Sequence, residues 1–338
     1  MVLSENSAVI VTHGDLIRYY SGFYADDGFA VIDNGGVNLF VDDRYYSAAK
    51  VASRAKVFNL KECGIVAYLI ESGVKNAGIP FNYASAAFYN ELKNAGLEVF
   101  DAENLIFGDL RVKNGEELQT VKKACDIAET ALKNTLCVIK EGVTELEVAA
   151  RLECEMKLLG ASGTSFQTIV AFGKNAAVPH HETGETRLCR NEAVLIDFGA
   201  RYKGYCSDMT RTFFFGNAGD DFKKAYAATL SAHNLAINNV RAGLTGAEAD
   251  KIARDALDKS GFGNYFTHGL GHGVGVFIHE QPRLGENGGV ILENGNVFSI
   301  EPGVYIDGKF GIRIEDTVYL KDGKVKSMMT FAKNLIEL

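Results

Sequence analysis

The chain has 338 residues, of which 47% are apolar and 23% charged, values typical of a globular protein large enough for two domains. Its net charge is −8 without a basic cluster, which argues against nucleic acid and anionic membrane surfaces as partners. The longest apolar run, residues 65–70, is too short to span a bilayer, and we find no signal-peptide pattern. Six cysteines without CxxC spacing predict free thiols in a reducing cytoplasm.

The first part of the chain, residues 1–112, alternates strand and helix signals and predicts a small α/β domain. Asn34-Gly35-Gly36 lies between two apolar runs and is a favoured sequence for a tight hairpin turn. Apolar spacing predicts helices over residues 63–77 and 84–95. This part offers few candidate catalytic groups, so we expect the chemistry in a second domain formed by residues 113–338.

Two helix pairs in the second domain follow the same pattern. Capping boxes at Thr144/Glu147 and Thr245/Glu248 each predict a helix start, and they are separated by 101 residues. Glycines at the same separation precede and end these helices, and each helix pair is followed by a His-bearing loop and an acidic hairpin. We therefore predict two copies of a helix–helix–hairpin unit, related by a pseudo-twofold axis.

The first acidic hairpin is predicted over residues 193–215, where two apolar runs flank a Gly-containing turn. A turn centred between Tyr202 and Lys203 would set Asp197 directly opposite Asp208. Like charges at such a cross-strand position repel each other. The two acids either lie at solvated strand ends or hold a cation, and this hairpin alone favours neither alternative.

The second acidic hairpin, residues 296–320, favours the cation. A turn centred on Gly308 would set Glu301 directly across from Glu315. Unpaired buried charges cost several kcal/mol or are neutralised by a shift in pKa. Four carboxylates on two otherwise apolar hairpins therefore indicate a metal site, with two ions.

Five of the seven histidines lie between residues 180 and 279, in loops that also carry glycines. His268 and His272 are four residues apart, but the glycines between them argue against the helical HExxH zinc motif. His180 and His181 are adjacent, and the spacing given below favours His180 as the catalytic residue.

Taken together, these residues resemble the pita-bread metallopeptidases, whose branches include aminopeptidase P, prolidase, methionine aminopeptidase and the metal-free creatinases. The segment GFAVIDNGG…DDRYYSAA resembles the creatinase/prolidase-type N-domain, which methionine aminopeptidases lack. The family's metal ligands follow the order Asp, Asp, His, Glu, Glu. In the contexts IDFG, SDMTRT, HGLGHGVG, IEPGVY and RIEDT, the matching residues here are Asp197, Asp208, His272, Glu301 and Glu315.

The resemblance also implies roles for residues around the ligands. His180 lies seventeen residues before the first ligand, as the family's catalytic histidine does, and the catalytic set is His180, Glu301 and His279. The substrate-binding set is His268, His279, Arg283, Tyr305 and Arg313. Arg283 matches a prolidase arginine that holds a dipeptide's free carboxylate, although an exposed loop arginine is an equal alternative.

The implied activity is hydrolysis of the Xaa-Pro imide bond at the N-terminus of peptides, through a hydroxide that bridges two divalent ions. Four carboxylates and one imidazole suit Mn²⁺ first, with Co²⁺ as an alternative. An Xaa-Pro dipeptidase (prolidase) is the alternative activity, and a non-catalytic pita-bread binding protein is the alternative class. We expect proline-containing peptides as ligands, a homodimer, and a cytoplasmic location.

Overall fold

The computed structural model describes residues 1–338. The chain divides into two compact units, which comprise residues 1–110 and 111–338; the sequence-based boundary lies between residues 112 and 113. No helix combines the length and the apolar character needed to cross a membrane. All six cysteines are free thiols.

The first unit is a mixed sheet with helices. Its strands are β1 (Ser7–Val11), β2 (Gly28–Asp33), β3 (Gly36–Val41), β4 (Lys56–Asn59), β5 (Asn76–Ile79) and β6 (Glu98–Asp101). Its helices are α1 (Gly14–Ser21), α2 (Asp43–Ala52), α3 (Ile65–Glu71), α4 (Ala86–Asn94) and α5 (Glu103–Arg111). The strand order is β4-β3-β2-β1-β5-β6, and β2 and β3 form the predicted hairpin around Asn34-Gly35.

The helix predicted over residues 63–77 is wrong at its C-terminal end. Helix α3 stops at Glu71, and Gly73 follows with a left-handed φ of 72°. The Val74 N–H bonds back to the Leu69 carbonyl, which is the closing bond of a Schellman motif. Residues 76–79 then pair in parallel with β1 as strand β5, so pairing with a distant strand outweighs the helical spacing.

The second unit combines four long helices with several small sheets. The helices are α6 (Gly115–Thr135), α7 (Glu145–Leu158), α8 (Asp220–Asn239) and α9 (Gly246–Lys259). The strands before α8 are β7 (Gly163–Thr164), β8 (Ile169–Phe172), β9 (Glu192–Phe198), β10 (Ala200–Tyr202), β11 (Tyr205–Cys206) and β12 (Met209–Phe215). Those after α9 are β13 (Gly271–Gly273), β14 (Glu280–Leu284), β15 (Val297–Ile300), β16 (Gly303–Ile306), β17 (Phe310–Arg313), β18 (Asp316–Lys321) and β19 (Lys324–Ser327).

The predicted internal repeat is confirmed. Helices α7 and α9 have the same length, and both begin with a complete capping box, Thr144 with Glu147 and Thr245 with Glu248. Each pair of helices packs on its own apolar core, one behind β8-β9-β12 and the other behind β15 and β18. The two hairpins that follow the helix pairs therefore meet between two similar halves, as the resemblance implies.

The register of the first acidic hairpin differs from the prediction. Lys203 and Gly204 have consecutive positive φ values of 48° and 88°, which is the backbone of a type I′ hairpin turn. The turn is therefore centred one residue later than predicted, and Asp197 lies opposite Thr210 instead of Asp208. Asp208 precedes Thr210 by two residues, and side chains alternate along a strand, so both acids still project from the same face.

The register of the second acidic hairpin is confirmed. Strands β16 and β17 pair symmetrically around Gly308, with Gly303 opposite Arg313. Strands β15 and β18 continue in the same register beyond a short interruption. Glu301 and Glu315 lie in that interruption, at positions that this register makes equivalent on the two arms.

Candidate metal centre and active site

The two hairpins and strand β13 bring three predicted ligands together. One ligand atom from each of Asp208, His272 and Glu315 lies within 4.8 Å of the other two. The Nε2 atom of His272 lies 3.5 Å from Asp208 Oδ2 and 3.3 Å from Glu301 Oε1. These four residues therefore surround a single small volume at the junction of the two halves.

Neighbouring groups orient the imidazole of His272. Its Nδ1–H donates to the neighbouring Gly273 carbonyl at 3.1 Å, which turns Nε2 towards the acids. The His272 backbone N–H donates to Ser299 Oγ, and this hydroxyl donates to Glu301 Oε1 at 3.0 Å. Such support of a ligand by a further hydrogen-bonded shell is common around metal-binding histidines.

The electrostatics of the cluster favour a cation. Burial, with repulsion from Glu315, raises the pKa of Asp208 well above its usual value. Burial, with repulsion from Glu301, raises the pKa of Glu315 in the same way. For Glu301, burial opposes the charged form, but the hydrogen bond and charge of His272 outweigh it and lower its pKa to about 2. Bringing in positive charge would relieve these repulsions.

The remaining predicted ligand, Asp197, has a carboxylate oxygen without a hydrogen-bond partner. Its Oδ2 accepts a hydrogen bond from Arg313 Nη2, but its buried Oδ1 has no hydrogen-bond partner. A buried acceptor without a partner is costly unless something absent from the chain satisfies it. Four carboxylates and one imidazole form a hard-to-borderline donor set, so the residues fit divalent metal ions.

Arg313 links the predicted ligand Asp197 to Tyr305 and His268, two residues of the predicted substrate-binding set. Besides Asp197, its guanidinium donates to Thr210 Oγ1 at 3.1 Å and to the Tyr305 hydroxyl at 2.7 Å. The Tyr305 hydroxyl lies 2.8 Å from His268 Nε2. Arg313 and Tyr305 are buried, so this network holds a fixed geometry.

The network commits both ring nitrogens of His268. Its Nδ1 lies 2.8 Å from the Gly269 carbonyl, which can only accept, so Nδ1 carries the proton. Burial lowers the pKa of His268, and in the neutral ring Nε2 accepts from Tyr305. In this arrangement His268 orients Tyr305 and has no free N–H for a substrate.

Three other predicted residues lie at the exposed side of the cluster. The His279 ring packs edge-on against His272 with centroids 4.4 Å apart. Burial lowers the pKa of His279, and the positive charges of His272, His180 and Arg283 lower it further. His180, His279 and Arg283 are exposed, and none of these three side chains makes a hydrogen bond within the chain.

The structure distinguishes the adjacent histidines His180 and His181. The Nε2–H of His181 donates to the fully buried Glu145 at 2.9 Å, whereas the His180 ring is exposed beside His268 and His279. His181 therefore helps to hold the loop in place, and the ring of His180 faces the cluster.

Sequence reasoning did not identify several residues that hold the predicted ligands. Thr210 Oγ1 donates to Glu315 Oε2 at 2.6 Å, and Thr317 Oγ1 accepts from the Asp208 backbone N–H at 2.9 Å. Glu145 lies in the first turn of helix α7, where an acidic residue is ordinary, so its sequence position does not indicate its role. The threonines lie two residues after ligands in SDMTRT and RIEDT, a spacing that could have placed them on the ligand face.

Comparisons with known proteins agree with this geometry. The profile of metallopeptidase family M24 matches residues 119–322, and that of the creatinase/prolidase N-terminal domain matches residues 2–112. An Xaa-Pro dipeptidase from Pyrococcus furiosus is 34% identical over 99% of this chain and 97% of its own.

Solved structures give the same result. An Xaa-Pro dipeptidase from Bacillus anthracis superposes with a TM-score of 0.94 at 33% identity, over 98% of this chain and 95% of that one. An X-Pro aminopeptidase from Thermotoga maritima MSB8 superposes with a TM-score of 0.92 at 30% identity, over 98% and 97%. The predicted family and fold are thereby confirmed, and this chain belongs to metallopeptidase family M24, with a creatinase/prolidase-type N-terminal domain.

Proposed function

We propose that the chain is a metal-dependent exopeptidase that hydrolyses the Xaa-Pro bond at the N-terminus of peptides. The observation that carries this proposal is the convergence of Asp208, His272 and Glu315 within 4.8 Å, beside exposed histidines that a substrate can reach. The names of relatives on both the dipeptidase and the aminopeptidase branch support Xaa-Pro bonds as the target.

We further propose that two divalent ions, Mn²⁺ in the first place, are held by Asp197, Asp208, His272, Glu301 and Glu315. The raised pKa values of Asp208 and Glu315 and the unsatisfied Oδ1 of Asp197 support this assignment. When bound, such ions lower the pKa of water and polarise the scissile carbonyl.

The chain's own groups would move the protons and stabilise developing charge. Glu301 would take a proton from the attacking water on a carboxylate oxygen and deliver it to the leaving imide nitrogen. The ring N–H groups of His180 and His279 would donate to the oxygen that becomes negative in the tetrahedral state. Arg313 would hold the Asp197 carboxylate in place through its hydrogen bond to Oδ2.

The length of the substrate separates two activities. The exposure of His180 and His279 supports an aminopeptidase, because exposed side chains can be reached by peptides longer than two residues. Arg283 supports the second candidate, a prolidase. Its guanidinium is exposed, unpaired within the chain and close enough to affect the pKa of His279, so it is available for a dipeptide's carboxylate.

A paired assay tests the proposal. Purified protein is stripped with a chelator, reloaded with Mn²⁺ or Co²⁺, and supplied with Xaa-Pro dipeptides and Xaa-Pro-Yaa tripeptides. We expect hydrolysis only after reloading, with tripeptides preferred by an aminopeptidase and dipeptides by a prolidase. Metal binding without hydrolysis of either substrate would refute the proposed function and favour a binding protein.

Two expectations from the sequence stay predictions. A homodimer would give twice the chain mass by light scattering at micromolar concentration, and a monomer would contradict it. A cytoplasmic location is compatible with six free thiols, and fractionation of the source cells would test it.

A further inference from the structure

A buried ion pair lies next to the candidate active site. Lys113 Nζ is 2.6 Å from Glu280 Oε2, and both side chains are 1% exposed. The other lysine–carboxylate pairs of the second unit, such as Lys122 with Asp126, are considerably more exposed at the lysine. Surface pairs of that kind contribute little, whereas removing one partner of a buried pair leaves an uncompensated charge.

Glu280 fixes the shape of the loop that ends in His279. Its Oε2 binds Lys113, and its Oε1 accepts from the Phe277 backbone N–H at 2.9 Å. A Cβ atom at Gly275 would lie 2.7 Å from both the Glu280 carboxylate and Lys113 Cε, so the pair packs directly on that backbone. The carboxylate therefore holds the loop from two sides.

Lys113 is itself fixed to the sheet that carries the candidate ligands. Its backbone N–H donates to the Gly295 carbonyl at 2.9 Å, and the preceding residue forms a β-bridge with Asn296. Strand β15 begins at the next residue and leads to Glu301. The ion pair thus ties the His279 loop to the strand that positions Glu301.

His279 has no other polar support. Its exposed ring makes no hydrogen bond within the chain and only packs against the ring of His272. Its position therefore depends on the backbone at Glu280, the first residue of strand β14. The same strand sets Arg283 opposite His272.

We propose that Lys113 is a positioning residue, which holds His279 and the start of β14 in place through its buried pair with Glu280. This inference rests on the proposed role of His279 in the Xaa-Pro reaction. A displacement of about 1 Å in a reacting group can cost on the order of 100-fold in rate, so a small shift of the loop is sufficient.

The test is a double-mutant cycle with a matched control. Lys113→Met should lower kcat by roughly 10- to 100-fold with a smaller change in KM. The same change in a His279→Ala background should cost no more than about threefold, because effects of residues that act through one another are not additive. Lys122→Met removes a lysine from an exposed pair and should leave kcat unchanged. Equal losses from Lys113→Met in both backgrounds would overturn the proposal.

A second measurement does not depend on activity. Amide hydrogen exchange over residues 275–283 should become faster in Lys113→Met and stay unchanged in Lys122→Met. If Lys113→Met does not fold, the double variant Lys113→Gln/Glu280→Gln, which removes both charges, replaces it in the mutant cycle and in the exchange experiment. Unchanged exchange in this loop would overturn the proposal. If the wild type hydrolyses no Xaa-Pro peptide, the proposed function fails, whereas the exchange result still decides whether Lys113 orders the loop.

Discussion

Glu145 offers the sharpest test of how the His180 loop is held. Its carboxylate is fully buried and accepts four hydrogen bonds, two on each oxygen. The donors are the backbone N–H groups of Phe172 and Gly184 and the side chains of Asn175 and His181. A single residue at the start of helix α7 therefore fixes both ends of the loop that carries His180.

The substitution Glu145→Gln turns one acceptor oxygen into an NH₂ donor. Whichever way the amide is oriented, its NH₂ group faces one of the two backbone N–H groups. That N–H then has no acceptor. An unsatisfied buried donor costs about 1–3 kcal/mol. For a unit of this size, that loss lowers Tm by roughly 2–12 °C. Turnover should fall as well, because His180 loses its support.

The assay compares Glu145→Gln with Glu147→Gln by thermal unfolding and by Xaa-Pro hydrolysis. Glu147 lies on the same helix, is exposed and completes the capping box with Thr144, a role that glutamine also fills. The free energy of unfolding of Glu147→Gln should therefore lie within about 0.5 kcal/mol of that of the wild type. If both variants lost the same stability, the four hydrogen bonds of Glu145 would not be the reason, and our reasoning would be refuted.

The other predictions concern the metal centre and the substrate. Asp208→Ala and Glu315→Ala should each abolish activity in a folded chain, as measured by circular dichroism and hydrolysis; full turnover after either change would exclude a role as ligand. His180→Ala should bind metal normally, by calorimetry, but lose about 100-fold or more in kcat; a silent change would remove it from the catalytic set. Arg283→Ala should raise KM for Xaa-Pro dipeptides by roughly 10- to 150-fold and much less for longer peptides; equal effects on both would exclude a carboxylate clamp. Burial and repulsion from neighbouring carboxylates raise the pKa values of Asp208 and Glu315. The folded apo protein therefore binds more protons than the unfolded chain and loses stability as pH rises above the usual values of these groups near 4. Metal displaces those protons, and the gain in Tm on adding Mn²⁺ should therefore increase with pH; a gain that decreases with pH would contradict this.

The sequence by itself determined the local features whose chemistry lies within a few residues. The capping boxes at Thr144 and Thr245 satisfy helix ends with side chains three residues away, and so they are visible as short motifs. The register around Gly308 followed from a symmetric turn between two apolar runs. The order and contexts of the acids also identified the family before any geometry was available.

The tertiary structure decided features that depend on the exact turn or on contacts between distant residues. The first hairpin turns one residue later than predicted, because Lys203 and Gly204 together adopt the left-handed backbone of a type I′ turn. Asp197 consequently lies opposite Thr210, although alternation along the strand still brings it to the same face as Asp208. The sequence alone does not say which of two neighbouring residue pairs will form such a turn.

The partners of buried charges were also set only by the folded chain. Glu145 meets His181 36 positions further on, Lys113 meets Glu280 at a separation of 167, and Arg313 meets Asp197 at 116. Such pairs have no local pattern, because each forms only when packing excludes water and leaves the charge no other partner. The sequence therefore predicted which residues carry the chemistry, and the tertiary structure determined which residues hold them in place.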